Sequence, residues 1–198
     1  MQVHVSFELT GVVIAAIAAL ALWFAWRQVR EMQESTRKQA DSARNVELQT
    51  RANILLTLDE RWETEPMLSV CRELQLLRLT VESELARSDP GSATMFQVPP
   101  AFAAKLDDLL AQDFEKYLRL YRICGFFETV GYVARVGYVP IDDVINLLGG
   151  SILETGRLFR PHIQRLKELP TGDPRMYEHF LWLLSTLEKR VSTSLASV

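Results

Sequence analysis

The sequence predicts an all-α protein: an N-terminal transmembrane helix that continues into a long juxtamembrane helix, followed by a compact domain of five to seven helices. Three observations lead to this prediction. Residues 9–26 form an apolar run without a charge, and residues 27–62 contain neither Gly nor Pro. After Pro66, apolar residues recur at the helical spacings of three and four, and no segment alternates as a strand does. The average composition, 48% hydrophobic and 24% charged, hides this division because it combines the run with a more polar remainder.

The apolar run from Leu9 to Trp26 predicts a membrane anchor that lies in the lipid bilayer. A helix of this length rises by about 27 Å, close to the ~30 Å thickness of a hydrocarbon core. Glu8 and Arg27 bound the run, and Trp23 and Trp26 lie near its end, where indole rings favour the headgroup region.

A cleaved signal peptide is the alternative interpretation of this run, because Ala19 and Ala21 form an A-x-A pattern. Residues 1–8 contain no Lys or Arg, however, and the run continues to a second Trp beyond Ala21. Both features favour a retained anchor.

The charges beside the run predict its orientation. Basic residues are absent before it and frequent just after it, so the positive-inside rule places a short tail, residues 1–8, outside and residues 27–198 in the cytosol. We therefore expect a single-pass protein of the inner (plasma) membrane. The basic residues that follow the run are Arg27, Arg30, Arg37, Lys38 and Arg44.

Residues 27–65 predict a juxtamembrane helix. Heptad positions can be drawn along it, but half of them are polar, which favours a solvated helix over a signalling coiled coil and still allows weak self-association into a homo-oligomer. These positions are Val29, Met32, Thr36, Gln39, Ala43, Val46, Thr50 and Asn53.

Residues 66–198 predict the cytosolic helical domain, and its first half contains two helices. One runs from Pro66 to a loop over Ser88–Pro100, which is rich in Pro and Gly. The next has an apolar face from Phe102 to Tyr121 and is expected to continue to Gly137.

The second half predicts three further helices. A short helix starts at Pro140 and ends at Gly149-Gly150, and Ser151 and Glu154 have the spacing of a capping box for the next one. Pro161 is expected to kink or break that helix. Asp173-Pro174 is expected to open the last helix.

Motifs for catalysis, metals and cofactors are absent from the sequence. It has three His and two Cys, without H-E-x-x-H, Cys pairs at zinc spacing, a phosphate-binding loop or a nucleophile elbow. We therefore expect no catalytic, metal-ligating or cofactor-binding residue. The net charge of -3 also argues against a nucleic-acid partner.

Glu128 is the most unusual single residue, since it lies in the apolar segment Phe126–Val130. A buried carboxylate needs a partner, and Arg157 or Arg160 is the expected one. A structural ion pair is favoured over a catalytic acid. Together with His162, these residues form the candidate site for an alternative function, an enzyme or a sensor of a small ligand or anion.

The segment FFETVGYVARVGYV, with its F-E-x-x-G-x-x-x-x-x-G pattern, is followed by a short helix and a helix with Arg-Pro near its middle. Over residues 121–168 it resembles an uncharacterised bacterial family of "domain of unknown function" proteins. The resemblance implies one N-terminal transmembrane helix and a helical cytosolic part, and no established activity. The function we expect is a membrane-anchored, non-enzymatic module that binds an unknown cytosolic protein or a second copy of itself.

Overall fold

The computed structural model describes the backbone of residues 3–88 and 97–196. In these ranges all regular secondary structure is helical, which confirms the predicted all-α class. The helices are α1 (Val3–Trp62), α2 (Glu65–Ser88), α3 (Val98–Gln112), α4 (Phe114–Arg135), α5 (Ile141–Glu168) and α6 (Glu178–Ala196).

The chain divides into two compact units, Met1–Thr50 and Arg51–Val198. The first unit consists of the first part of α1, which begins at Val3 and so includes most of the predicted tail. Every side chain from residue 20 to residue 50 is exposed. Two pairs at i,i+4 spacing, Arg27–Glu31 at 3.0 Å and Arg30–Glu34 at 3.6 Å, support the helix locally.

No helix in the described part of the chain is both long and apolar enough to cross a membrane. Within the predicted anchor, the side chains of residues 9–16, 18 and 19 lie outside the described residues, as does that of Glu8. Trp23 and Trp26 near its C-terminal end each lie beside an arginine one turn later. The guanidinium carbon of Arg27 is 5.7 Å from the Trp23 ring, and that of Arg30 is 5.6 Å from the Trp26 ring.

In the second unit, the last turns of α1 belong to the hydrophobic core. Leu58 is buried, and the Trp62 ring lies 5.3 Å from each of the Phe126 and Phe127 rings of α4. Helix α4 is the centre of this unit, because α2, α3, α5 and α6 all pack against it. Its buried face and the facing helices contribute the largest fully buried apolar side chains: Phe102, Leu106, Leu120, Ile123, Phe127, Ile152, Phe159, Ile163, Phe180, Leu183 and Leu184.

The single helix predicted from Phe102 to Gly137 is wrong, because the structure divides it at Asp113. The Asp113 side chain accepts a hydrogen bond of 3.0 Å from the Lys116 amide and so caps the start of α4. The predicted end at Gly137 agrees with the structure. This glycine has a φ of +87°, a left-handed conformation that terminates the helix.

The predicted break at Gly149-Gly150 is also wrong, and the helix does not break at Pro161, because α5 is continuous from Ile141 to Glu168. Small residues serve close packing here: a Cβ on Gly156 would lie 2.6 Å from the Leu184 side chain of α6. The expected capping box lies inside the helix, where Glu154 pairs with Arg78 of α2. Packing of α5 thus outweighs the local signals.

The last helix begins later than predicted. Residues 173–177 form turns, in which the Asp173 side chain accepts a hydrogen bond of 2.8 Å from the Arg175 amide, and α6 starts at Glu178. Of the predicted loop Ser88–Pro100, residues 89–96 lie outside the described residues, Ser88 belongs to α2, and Pro99 and Pro100 lie in the first turn of α3.

Candidate functional site

The structure gives Glu128 a different partner from the predicted arginines. Its carboxylate, half-buried on α4, accepts hydrogen bonds from the backbone amides of His179 (3.3 Å) and Phe180 (2.8 Å). These amides lie in the first turn of α6, where backbone N–H groups have no partner within the helix. Glu128 therefore caps α6 from a neighbouring helix, and its negative charge faces the positive end of the α6 dipole. The expected pairing with Arg157 or Arg160 is corrected accordingly.

Gly131 explains how Glu128 reaches these amides. It lies on α4 three residues after Glu128, and a Cβ at this position would overlap the backbone of His179. The absence of a side chain lets α4 approach the start of α6 closely. The E-x-x-G part of the motif therefore forms one helix crossing.

Arg157 and Arg160 both bind Glu188 of α6. The closest contacts are 3.7 Å for Arg157 Nε and 2.6 Å for an Arg160 terminal nitrogen, one to each carboxylate oxygen. Glu188 was not among the predicted site residues, because the sequence shows it as one more charge in a polar segment. The three side chains join α5 to α6.

His162 is fully buried and belongs to a third set of contacts. Its Nδ1 lies 2.7 Å from an Asp107 carboxylate oxygen, and its Nε2 lies 3.1 Å from the Tyr117 hydroxyl. Arg165 binds the other Asp107 oxygen at 2.7 Å. We call Arg165, Asp107, His162 and Tyr117 the His162 network; it links α3, α4 and α5.

Burial sets the protonation state of this network. It lowers the pKa of His162 below its usual value, and the hydrogen bond that His162 donates to Asp107 opposes this only in part. Burial also raises the pKa of Tyr117 to about 12. A neutral His162 donates from Nδ1 to Asp107 and accepts at Nε2 from the Tyr117 hydroxyl, so both ring nitrogens are used.

Aromatic rings pack around the His162 network. The Tyr121 ring stacks on Tyr117 at 4.9 Å and meets the rings of His162 and Tyr177 edge-on at 5.8 and 5.2 Å. Burial raises the pKa of both Tyr121 and Tyr177 above the usual value. Since both ring nitrogens of His162 are used within the network, we assign it a structural role, in which satisfied polar groups fix one packing arrangement.

The structure thus distributes the four predicted site residues over three places. Glu128 lies at the start of α6, Arg157 and Arg160 lie at Glu188, and His162 lies in its own network. Only the two arginines are brought together. A common polar pocket, which the alternative function requires, is not formed by these residues.

Thiol and metal chemistry find no support in the described residues. Burial raises the pKa of Cys124 well above its usual value, and burial followed by the nearby charge of Glu154 raises that of Cys71. A raised pKa favours the protonated thiol over the reactive thiolate at both positions. Among the described residues, no group of three His, Cys, Asp or Glu side chains is placed to hold a metal ion.

No family model, curated protein or solved structure matches this chain.

Proposed function

We propose that this protein is a membrane-anchored, non-enzymatic helical module. Residues 9–26 form its single-pass anchor in the inner (plasma) membrane, with the N-terminus outside. Residues 27–198 bind a protein partner, or a second copy of the chain, at the cytosolic face. The charge-free run Leu9–Trp26 carries the proposal, because an apolar segment of this length followed by basic residues is the sequence pattern of an anchor.

The course of α1 supports this proposal. It is one helix from Val3 to Trp62, and the cation–π contacts of Arg27 and Arg30 would hold both guanidinium groups beside the indole rings at the headgroup level.

Two experiments test the anchor. Reporter domains fused to each end should show the N-terminus outside and the C-terminus in the cytosol, and carbonate should not extract the full chain from membranes. A chain lacking residues 1–26 should be extracted. Release of the full chain by carbonate, or a cytosolic N-terminus, would contradict the proposal.

Self-association is supported by the exposed apolar residues of the juxtamembrane helix. Val29, Met32 and Val46 are 54%, 70% and 59% exposed. Two threonines at the predicted seam, Thr36 and Thr50, donate their hydroxyls to helix carbonyls four residues earlier, at 2.8 and 2.9 Å. Their hydrogen-bonding groups are therefore already satisfied, which lowers the cost of burying them between two helices.

A matched pair of variants tests this seam. V46K places a charge at the seam, whereas L48K places the same charge at an exposed apolar residue of the same helix that lies off the seam. Crosslinking of the full chain in membranes should show less dimer for V46K and an unchanged amount for L48K. Equal effects of the two substitutions would exclude the heptad seam and leave a different partner protein as the binding mode.

A further inference from the structure

A cavity of about 360 Å³ lies among the end of α1, the start of α2 and the middle of α4. This volume is within the range of small-molecule sites in proteins, which is about 300–1,000 Å³. All of its lining residues belong to the second unit, Arg51–Val198. None of them is part of the His162 network or of the contacts of Glu128 and Glu188.

The charges of the lining are of one sign. Arg61 and Arg122 both line the cavity, and no Asp or Glu does. Among the described residues neither guanidinium group has an ion-pair partner, whereas Arg51, Arg78, Arg135, Arg157, Arg160, Arg165 and Arg190 pair with carboxylates of other helices. Two arginines without an ion-pair partner among the described residues line one cavity, which favours an oxyanion there, because guanidinium groups bind carboxylate and phosphate oxygens with several donors.

The other wall of the cavity is apolar. Val70 and Phe126 line it and are 5% and 8% exposed, and Met67 beside them is half-buried. The apolar surface left open there is small, and Met67 contributes the half-buried part of it. A ligand with a short apolar group would cover it and gain from its burial.

The threonines of the lining do not compete with the arginines as donors. Thr64 donates its hydroxyl to the Arg61 carbonyl at 2.9 Å, and Thr129 donates to the Gly125 carbonyl at 3.1 Å. Arg61 and Arg122 are therefore the groups that would hold the anion.

Gly125 also lines the cavity. It lies inside α4, where glycine is less favourable than alanine, yet a Cβ there would meet no atom within 4 Å. Gly131, on the same helix, is required by the close approach of α6. No packing contact requires the glycine at 125, which instead widens the cavity.

We propose that this cavity binds a small oxyanion, a phosphate or carboxylate that carries a short apolar group, with Arg61 and Arg122 as its ligands. The ligand is either a free metabolite of this chemistry or the head of an anionic lipid. The site does not depend on the proposed anchor, since every residue in it belongs to the folded unit.

The full chain in a non-ionic detergent is titrated by calorimetry with phenyl phosphate, inorganic phosphate and dibutyryl phosphatidic acid. We expect one site per chain and tighter binding of the two organic phosphates than of inorganic phosphate. R122Q should weaken binding about ten-fold or more, since one charged hydrogen-bonding group is lost. R119Q is the matched control: Arg119 is an exposed arginine on the same helix without an ion pair among the described residues, and it does not line this cavity.

G125L provides a second variant, which fills the cavity without removing a charge. Because the position is open, this chain should fold and melt at or above the temperature of the original while losing most of its affinity for phenyl phosphate. G150L, at another open helical glycine outside the cavity, should keep its affinity.

The two phosphate esters distinguish the possible sources. Binding of both identifies a site for small organic phosphates, and binding of only the phosphatidic acid identifies a lipid headgroup site. The proposal is overturned if neither binds, or if R122Q and G125L bind as the original chain does. Because the anchor is tested by extraction, failure of the ligand site leaves the proposed membrane function standing.

Discussion

Removal of the Glu128 carboxylate should destabilise the folded unit through the start of α6. The carboxylate accepts from two backbone amides there, at 2.8 and 3.3 Å. Loss of a helix-capping side chain costs about 0.5–2 kcal/mol, and loss of a favourable charge at a helix N-terminus costs about 0.3–1 kcal/mol more. For E128A we therefore expect a loss of about 2 kcal/mol, and for E128Q, which keeps one amide-accepting oxygen, about 1 kcal/mol.

The free energy of unfolding can be measured by urea denaturation of the full chain in detergent, with helix content as the signal. In a unit of this size, about 2 kcal/mol corresponds to a fall in melting temperature of about 4–8 °C. D108A is the control: Asp108 is an exposed carboxylate without an ion pair among the described residues, and its removal should change stability by less than about 0.5 kcal/mol.

A pair of double-mutant cycles separates capping from the ion pair that the sequence predicted. E128Q and R160Q should be additive within about 0.5 kcal/mol, because the two side chains share no partner. R160Q and E188Q, which remove the two sides of a 2.6 Å contact, should be coupled by more than about 0.5 kcal/mol. Coupling of Glu128 to Arg160 by more than about 1 kcal/mol, with Arg160 uncoupled from Glu188, would refute the capping role.

The remaining predictions concern His162 and the glycines. The pKa of His162 is lower in the folded than in the unfolded chain, so the unfolded chain takes up the proton first as the pH falls. The free energy of unfolding should therefore decrease as the pH falls through about 6.5. H162Q should reduce this decrease, measured as unfolding free energy against pH, while H179Q should keep it. On α4, G125A should raise stability by about 0.4–1 kcal/mol, whereas G131A should lower it by about 1–3 kcal/mol. The reason is that only a Cβ at position 131 would meet the α6 backbone. Equal effects of the two substitutions in thermal melts would contradict this helix crossing. G137A should cost about 1 kcal/mol through its left-handed φ of +87°.

The class of fold could be predicted from the sequence because helical spacing of apolar residues is a local property. The boundaries of the helices were harder to predict from the sequence. Gly149-Gly150 and Pro161 are strong local signals for a break, yet α5 passes through all three residues. The contacts that outweigh these signals are made with distant parts of the chain, such as the approach of Gly156 to Leu184. Pattern analysis of one segment contains no information about such contacts.

The candidate site shows the same limit. Glu128 was identified correctly as a carboxylate that needs a partner. Arginines can be recognised in a sequence as partners of a carboxylate, whereas the unpaired backbone amides at the start of a helix cannot. For Arg160, the partner is a glutamate 28 positions later. Asp107 and Tyr117, which hold His162, could have been found only by knowing that α3, α4 and α5 meet at that point. Arg61 and Arg122 were not among the predicted site residues, since a sequence does not distinguish an arginine that lines a cavity from one on the open surface.

The charged and polar side chains fall into two sets, those that bind a group of another helix and those that have no ion-pair partner among the described residues. Glu128, Glu188 and His162 each bind a group of another helix, so they position the helices relative to one another. Arg61 and Arg122 have no such partner in the described chain. Arg61 lies in the last turn of α1, the helix whose earlier residues form the proposed anchor. An anion held by Arg61 would therefore contact the last turn of α1, which belongs to the folded unit Arg51–Val198.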